Sequence, residues 1–264
     1  MNDDATLDIR FEDEHLLIVA KPAGQVVHPT YKNPHGTLLD AVIARNLDGR
    51  DHRPSIVGRL DKQTSGVVVV AKRPDMHAPL QRAMSSRDTK KMYLAIVYGI
   101  PETSGDIDLP IGHDPADRRL MVVSGLHSAS SLTEFKRAAS VSAPDDAISL
   151  LRCRLVTGRR HQLRVHLAAR GWPIVGDPVY GQPRWSGVRD RELAAILRDF
   201  PRQALHAARV SFTHPITRTR LQVDAAPPPD FCRLLAAVFP DSDRLITCPD
   251  PLDANAKGST ESPV

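Results

Sequence analysis

The chain has 264 residues, 41% hydrophobic and 25% charged, with a formal net charge of +4, enough for one large domain or two small ones around a buried core. No run approaches the roughly 18 apolar residues of a membrane span, so a membrane partner is set aside. The acidic start MNDDAT has no apolar stretch and is no secretory signal, and Cys153, Cys232 and Cys248 without CxxC spacing suit reduced thiols in the cytoplasm better than disulfides or zinc.

Charge is unevenly spread. Residues 241–264 hold Asp241, Asp243, Asp250, Asp253 and Glu261 against Arg244 and Lys257, so the rest of the chain is more basic than its total suggests. The stretch 152–170 carries Arg152, Arg154, Arg159, Arg160, Arg164 and Arg170 with no acidic residue. Such a stretch suits a polyanion or is simply a solvated basic face.

In chain order, LLIVAK (16–21) reads as a buried strand and TLLDAVIARNL (37–47) as a helix with Leu38, Leu39, Val42 and Ile43 on one stripe. VVVVAK (67–72) is a strand that cannot begin before Gly66. Residues 74–87 open with Pro74 and Asp75, favourable first-turn residues of a helix, and MYLAIVYG (92–99) is again a strand. Strands follow at 119–124, 131–138 and 148–156, a helix at 159–170 ending before Gly171, a helix at 189–200, and strands at 204–212 and 220–225. There is no internal repeat. Runs of strands interrupted by single helices predict an α+β fold with a mixed, largely antiparallel sheet. The domain expectations are a flexible start at 1–7, one catalytic domain over 8–240, and a disordered tail at 249–264.

Four segments carry chemistry-bearing side chains. In SIVGRLDKQTSGVVVVAK (55–72), Asp61 sits in a polar turn at the rim of buried strands, where a carboxylate is rigid and reachable, or is a turn residue only. In LVTGRRHQLRVHLAARG (155–171), Gly158 is expected to turn the chain into a helix with Arg160 and Arg164 on one face and His161 and Gln162 to its sides. An arginine there would grip Asp61 bidentately; otherwise the helix is a solvated basic one. His161 and His166 lack HExxH spacing, so a metal site is not expected. Tyr93 in KKMYLAIVYG (90–99) is a base-stacking aromatic or a core one, and WPIVGDPVYG (172–181) is a structured loop with Asp177 and Tyr180.

Taken in order, these segments resemble the RluA-type family of pseudouridine synthases, which modify ribosomal and transfer RNA. GRLDKQTSG (58–66) matches the family's HRLDxxTSG motif; KMYLAIVYG, TGRRHQLRVHLA, PIVGDPVYG and LHAARVSFTHP follow in family order, and FEDEHLLIVAKPAGQVVHP (11–29) looks like its amino-terminal strand pair. The resemblance spans about residues 8–230. It implies a mixed sheet with a central catalytic cleft, with Asp61 as the catalytic aspartate, Tyr93 as the base-stacking tyrosine and Arg164 as the basic partner of Asp61. Leu163 falls at the apolar position beside Arg164. Arg59 matches the arginine that fills the gap left by an extruded nucleotide, and Arg159, Arg160 and His161 are expected to bind substrate. The reaction exchanges no electrons and imports no group, so no cofactor is expected. The expected partners are ribosomal RNA, transfer RNA or both, with no obligate protein partner, and a monomer is the expected state.

Two positions depart from the family pattern: Gly58 stands where His is usual, and Arg160 where Thr or Ser is. The small RNA-binding domain that precedes many members is expected to be missing, since the resemblance begins close to Met1. Rival readings are an RNA-binding protein without catalysis and a hydrolase pairing Asp61 with Asp177.

Overall fold

The computed structural model describes residues 7–45, 53–141, 147–181 and 184–240; of the start expected to be flexible at 1–7 all but Leu7, and the tail expected to be disordered at 249–264, lie outside the described residues. The first half forms β1 (Ile9–Glu12), β2 (Leu16–Lys21), α1 (Leu38–Arg45), β3 (Ser55–Val57), β4 (Ser65–Ala71) and α2 (Pro74–Met84). Side chains alternate across a strand, and this explains the VVVV run. Val67 and Val69 share a core with Met76 and Leu80 of α2, while Val68 and Val70 pack with Leu38 and Val42 of α1. A strand covered on both faces needs no polar alternation. Leu16 and Ile18 against Leu17 and Val19 divide β2 in the same way.

The second half adds β5 (Lys90–Tyr98), β6 (Ser104–Asp108), β7 (Ile111–His113), β8 (Met121–Val123), β9 (Leu126–Ala129), β10 (Leu132–Val141) and β11 (Ile148–Leu155). After these come α3 (Gln162–Ala169), α4 (Arg191–Asp199), β12 (Leu205–Thr213), β13 (Arg220–Asp224) and α5 (Pro229–Val238). Among the described residues ten strands make one sheet, in the order β1-β2-β4-β12-β5-β11-β10-β6, with β13 on β12 and β3 on β4; β8-β7-β9 form a small second sheet. The larger sheet is antiparallel except where β4 meets β12. The fold is thus α+β with a mixed, largely antiparallel sheet. No helix among the described residues is long and apolar enough to cross a membrane.

The parallel pairing corrects one expectation. β4 begins at Ser65, one residue before the expected limit at Gly66 and two before its apolar run, because Ser65 pairs with His206 of β12. Gly66 (φ +119°) permits the close approach: a Cβ there would lie 2.1 Å from the Ala207 carbonyl oxygen.

The expected helix at 159–170 is also corrected. It starts at Gln162, after His161 in the left-handed region (φ 55°), while Gly158 adopts no positive φ. Arg160 therefore precedes the helix and shares no helical face with Arg164. Gln162 fixes this turn: its side-chain carbonyl accepts from Thr157 Oγ1 and the Arg159 N–H, both at 2.9 Å, and its amide donates to Leu132 O and Thr133 Oγ1, both at 3.0 Å. The helix expected over 74–87 ends at Met84. The one expected over 189–200 begins at Arg191, where Asp190 caps the Glu192 and Leu193 N–H groups.

Candidate active site

Asp61 leads the loop that enters β4, and side chains from distant segments hold that loop residue by residue. Lys62 O accepts from the Gly24 N–H (2.8 Å) and Lys21 Nζ (3.1 Å). Lys21 is fully buried and also donates to Pro22 O and Gln25 O; burial, and then the Arg202 charge, pull its pKa down to about 7, with Asp61 acting the other way. Gln63 O accepts from Arg202 Nη1 at 3.2 Å, and Thr64 Oγ1 from Gln203 Nε2 at 3.2 Å. Ser65 Oγ lies 2.9 Å from His206 Nδ1, whose other nitrogen donates to Ala225 O. Burial lowers the His206 pKa to about 4, so the neutral ring accepts from Ser65 Oγ. Arg202 is itself locked by Asp230 of α5 through Nε (2.6 Å) and Nη2 (3.0 Å). A carboxylate on so fully bonded a loop is preorganised.

Arg164, on α3, lies between two carboxylates. Its Nη1 donates to Asp61 Oδ2 at 2.9 Å, while Nε and Nη2 donate to Asp177 Oδ2 and Oδ1 at 2.7 and 2.9 Å. Burial alone would push the guanidinium's pKa down, but the hydrogen bonds and charge of Asp177, then Asp61, raise it. Burial likewise opposes ionisation of Asp177, yet Arg164 and the Val179 and Tyr180 N–H groups hold its pKa below the usual carboxylate range. Asp177 is spoken for, which removes the second free acid that the hydrolase reading needs.

The Arg164 guanidinium also lies over the Tyr180 ring, 4.9 Å from its centroid. Tyr180 Oη accepts from the Met121 N–H (3.0 Å) and lies 2.8 Å from His161 Nδ1. We assign the Tyr180 proton to that contact, which leaves the imidazole proton on Nε2, 3.8 Å from Asp61 Oδ1. Burial lowers the His161 pKa, against the pull of Asp61. One oxygen of Asp61 is thus taken by Arg164, and the other lies 3.8 Å from His161 Nε2.

The cleft, about 340 Å³ and open to solvent, is lined by Arg59, Leu60, Asp61, Tyr93, His161 and Arg164, with Leu155, Leu163 and Leu205 among its apolar wall. Tyr93 enters from β5, and cross-strand register aligns it with Ala207 of β12, which in turn pairs with Gly66 of β4. Burial, then the Asp61 charge, raises the Tyr93 pKa, so its phenol is neutral. Leu163 is buried at 3% exposure. Arg59, Arg159 and Arg160 are exposed; the Arg159 side chain donates to Ser130 O at 3.2 Å.

The arginine-rich stretch is less of a polyanion grip than its composition suggests. Arg152 is buried, Arg154 pairs with Glu134, Arg164 is in the site, and Arg170 pairs with Glu102 and covers Trp172. Of this stretch, Arg159, bonded to Ser130 O, and Arg160 are left exposed beside the cleft. His166 is structural, its ring bonded to Thr133 Oγ1 and Leu109 O. Among the described residues no cluster of three or more His, Cys, Asp or Glu is placed to hold a metal ion. Sequence reasoning missed the supporting roles of Lys21, Arg202, Gln203 and His206. The only signal was their polarity beside apolar runs.

The chain is similar to proteins already known. Residues 15–169 match the family model described as RNA pseudouridylate synthase. A protein named ribosomal large subunit pseudouridine synthase D from Xanthomonas campestris pv. campestris is 41% identical over 246 residues, 91% of this chain and 72% of its own. A protein of the same name from Pseudomonas aeruginosa is 40% identical, over 92% of this chain and 75% of its own. Among solved structures, human RNA pseudouridylate synthase domain containing 1 superposes with a TM-score of 0.67 at 26% identity, covering 95% of this chain and 99% of that one.

Proposed function

The chain belongs to the RNA pseudouridylate synthase family, and from that premise we propose that Asp61 supplies the carboxylate of the isomerisation, with Arg164 holding it in place. In the family's reaction the bond from uracil N1 to the ribose breaks, the base turns, and a bond from C5 to the same carbon forms. The proton lost from C5 is balanced by one gained at N1. The observation that carries the reading is the 2.9 Å pair between Arg164 and Asp61 at the wall of a cleft shared with Tyr93.

A carboxylate acts here as nucleophile or base, and both need an oxygen free on the cleft side. Oδ1 fits that need, since Arg164 holds Oδ2. Tyr93, neutral and presented on a rigid strand, stacks on the freed uracil, and Leu163 packs beside it. Extruding the base costs a few kcal/mol. Arg59, exposed at the cleft mouth, offsets this by filling the vacated stack, while Arg159 and Arg160 bind the flanking RNA and His161, in the cleft, binds the target nucleotide.

The substrate, in this reading, is the RNA of the ribosomal large subunit, as the names of the 40–41% identical relatives suggest. Such an enzyme works in the cytoplasm, as reduced thiols would suit. A monomer is favoured by the scatter of its exposed large apolar side chains, such as Ile43, Ile100, Leu126 and Ile216, over separate elements. Chemical mapping of pseudouridine in RNA from cells lacking the gene tests the substrate. A large-subunit uridine left unmodified, and restored by the wild-type chain, is expected. A site missing only from transfer RNA would overturn the substrate.

A further inference from the structure

Tyr31 is 101% exposed, the most solvent-facing large hydrophobic side chain among the described residues. Single exposed apolar groups usually call for no explanation, but this one is presented by a built turn. Thr30 and Asn33 exchange both backbone hydrogen bonds, at 2.9 and 3.0 Å, so Tyr31 and Lys32 are the two central residues of a tight reversal between Pro29 and Pro34. Thr30 Oγ1 accepts from the Asn33 N–H at 3.2 Å, adding a local clip.

The turn is tied to the catalytic loop. Lys62, the residue after Asp61, donates from Nζ to Asn33 Oδ1 at 3.2 Å. On the side towards the cleft, Arg59 is close enough to His28 for its charge to help lower that ring's pKa, after burial. Residues 22–39 contain no acidic side chain, and Lys32 has no ion-pair partner among the described residues. The rim running from Arg59 past the uncharged His28 ring to Tyr31, Lys32 and Lys62 is therefore cationic through Arg59 and the two lysines, and carries one bare aromatic face.

From this placement we propose that Tyr31 is a stacking platform for an unpaired nucleotide of the substrate RNA flanking the target uridine, with Lys32 and Lys62 on the adjoining phosphates. The chemistry matches single-stranded RNA: every base offers a π-face, and cations beside the ring follow the backbone. A protein partner is the less suitable occupant, since one ring on a cationic turn offers no apolar patch to bury. A preset turn also lowers the ordering cost of binding. The inference rests on Asp61 being the reacting end of the RNA site, and its test reads binding separately from turnover.

RNA from cells lacking the gene is titrated by filter binding against the wild-type chain, Tyr31→Ala and Tyr31→Phe, and tritium release from uracil C5 is followed on the same preparations. Loss of one base stack is expected to weaken binding by about fivefold or more in Tyr31→Ala, with Tyr31→Phe within about twofold of wild type and kcat unchanged in both. Lys32→Ala should lower the salt dependence of binding by about one phosphate contact. Binding of Tyr31→Ala within twofold of wild type would overturn the proposal, as would equal weakening by Tyr31→Phe, which would assign the effect to the hydroxyl. Ring-dependent binding by a wild-type chain that releases no tritium would leave the platform standing and sink the reading of Asp61.

Discussion

Replacing Arg164 by methionine keeps much of the side-chain volume and removes the charge between two carboxylates. The Asp177 side chain is 1% exposed, and it would lose both hydrogen bonds from Arg164 while keeping those from the Val179 and Tyr180 N–H groups. Stranding a buried carboxylate in this way costs about 3–5 kcal/mol. For a chain of this size that lowers Tm by about 10 °C. Asp61 loses its 2.9 Å contact as well. If a charge-assisted bond of roughly 1.5–3 kcal/mol is missing from the transition state, kcat falls by roughly 10- to 150-fold. The double variant Arg164→Met/Asp177→Asn separates the two losses. It removes the stranded charge and keeps an acceptor for the two backbone N–H groups, so most of the lost Tm returns while turnover does not. Calorimetry and tritium release on the wild type and both variants make the comparison. Turnover regained together with Tm in the double variant would refute the reasoning, because Arg164 would then act on folding alone.

The Arg202–Asp230 pair should matter to turnover through Gln63 O: Asp230→Asn is expected to lower kcat about tenfold well below Tm, with KM for RNA within about twofold. A lowered Tm with unchanged kcat would show that α5 does not steady the loop. His206 has a folded pKa of about 4, below the ordinary histidine value near 6.5. The unfolded chain therefore binds the proton first, so this residue's contribution to stability is present above about pH 6.5 and is lost as pH falls towards 4. Urea unfolding at pH 5 and 7 should show the difference. His206→Gln, which can still meet Ser65 and Ala225, should shrink it, and an undiminished difference would clear His206. Gly66→Ala, forced against the Ala207 carbonyl oxygen, is expected to cost about 3 kcal/mol or more in urea unfolding; a cost below about 1 kcal/mol would mean that β4 and β12 separate easily.

The strands were legible where burial is two-sided or the alternation strong. LLIVAK is β2 to the residue, and the VVVV run lies inside β4. The short strands β3, β7 and β9 were not read, since three or four residues carry too little periodicity to register. Helix α5 was missed although Phe231, Leu234, Leu235 and Val238 stand at helical spacing and are all buried. The prolines before it were a start signal that went unread. Asp61, Tyr93 and Arg164 could be named because a motif carries them, and the cleft brings the three together. The rest of the site depends on long-range pairing. Arg202 meets Gln63 across 139 residues, and no local pattern encodes such a contact. The start of α3 failed for a local reason: His161 takes a left-handed backbone conformation (φ 55°), which a right-handed helix cannot contain, so α3 begins only at Gln162.

The most direct measurement is tritium release from RNA labelled at uracil C5, extracted from cells lacking the gene, by the wild-type chain and by Asp61→Asn. That substitution keeps the shape of the loop and removes the charge. The wild type is expected to release tritium and the variant none, with RNA binding within a few fold of wild type. Near-normal release by Asp61→Asn would contradict the assignment of Asp61 and, with it, the role given to Arg164.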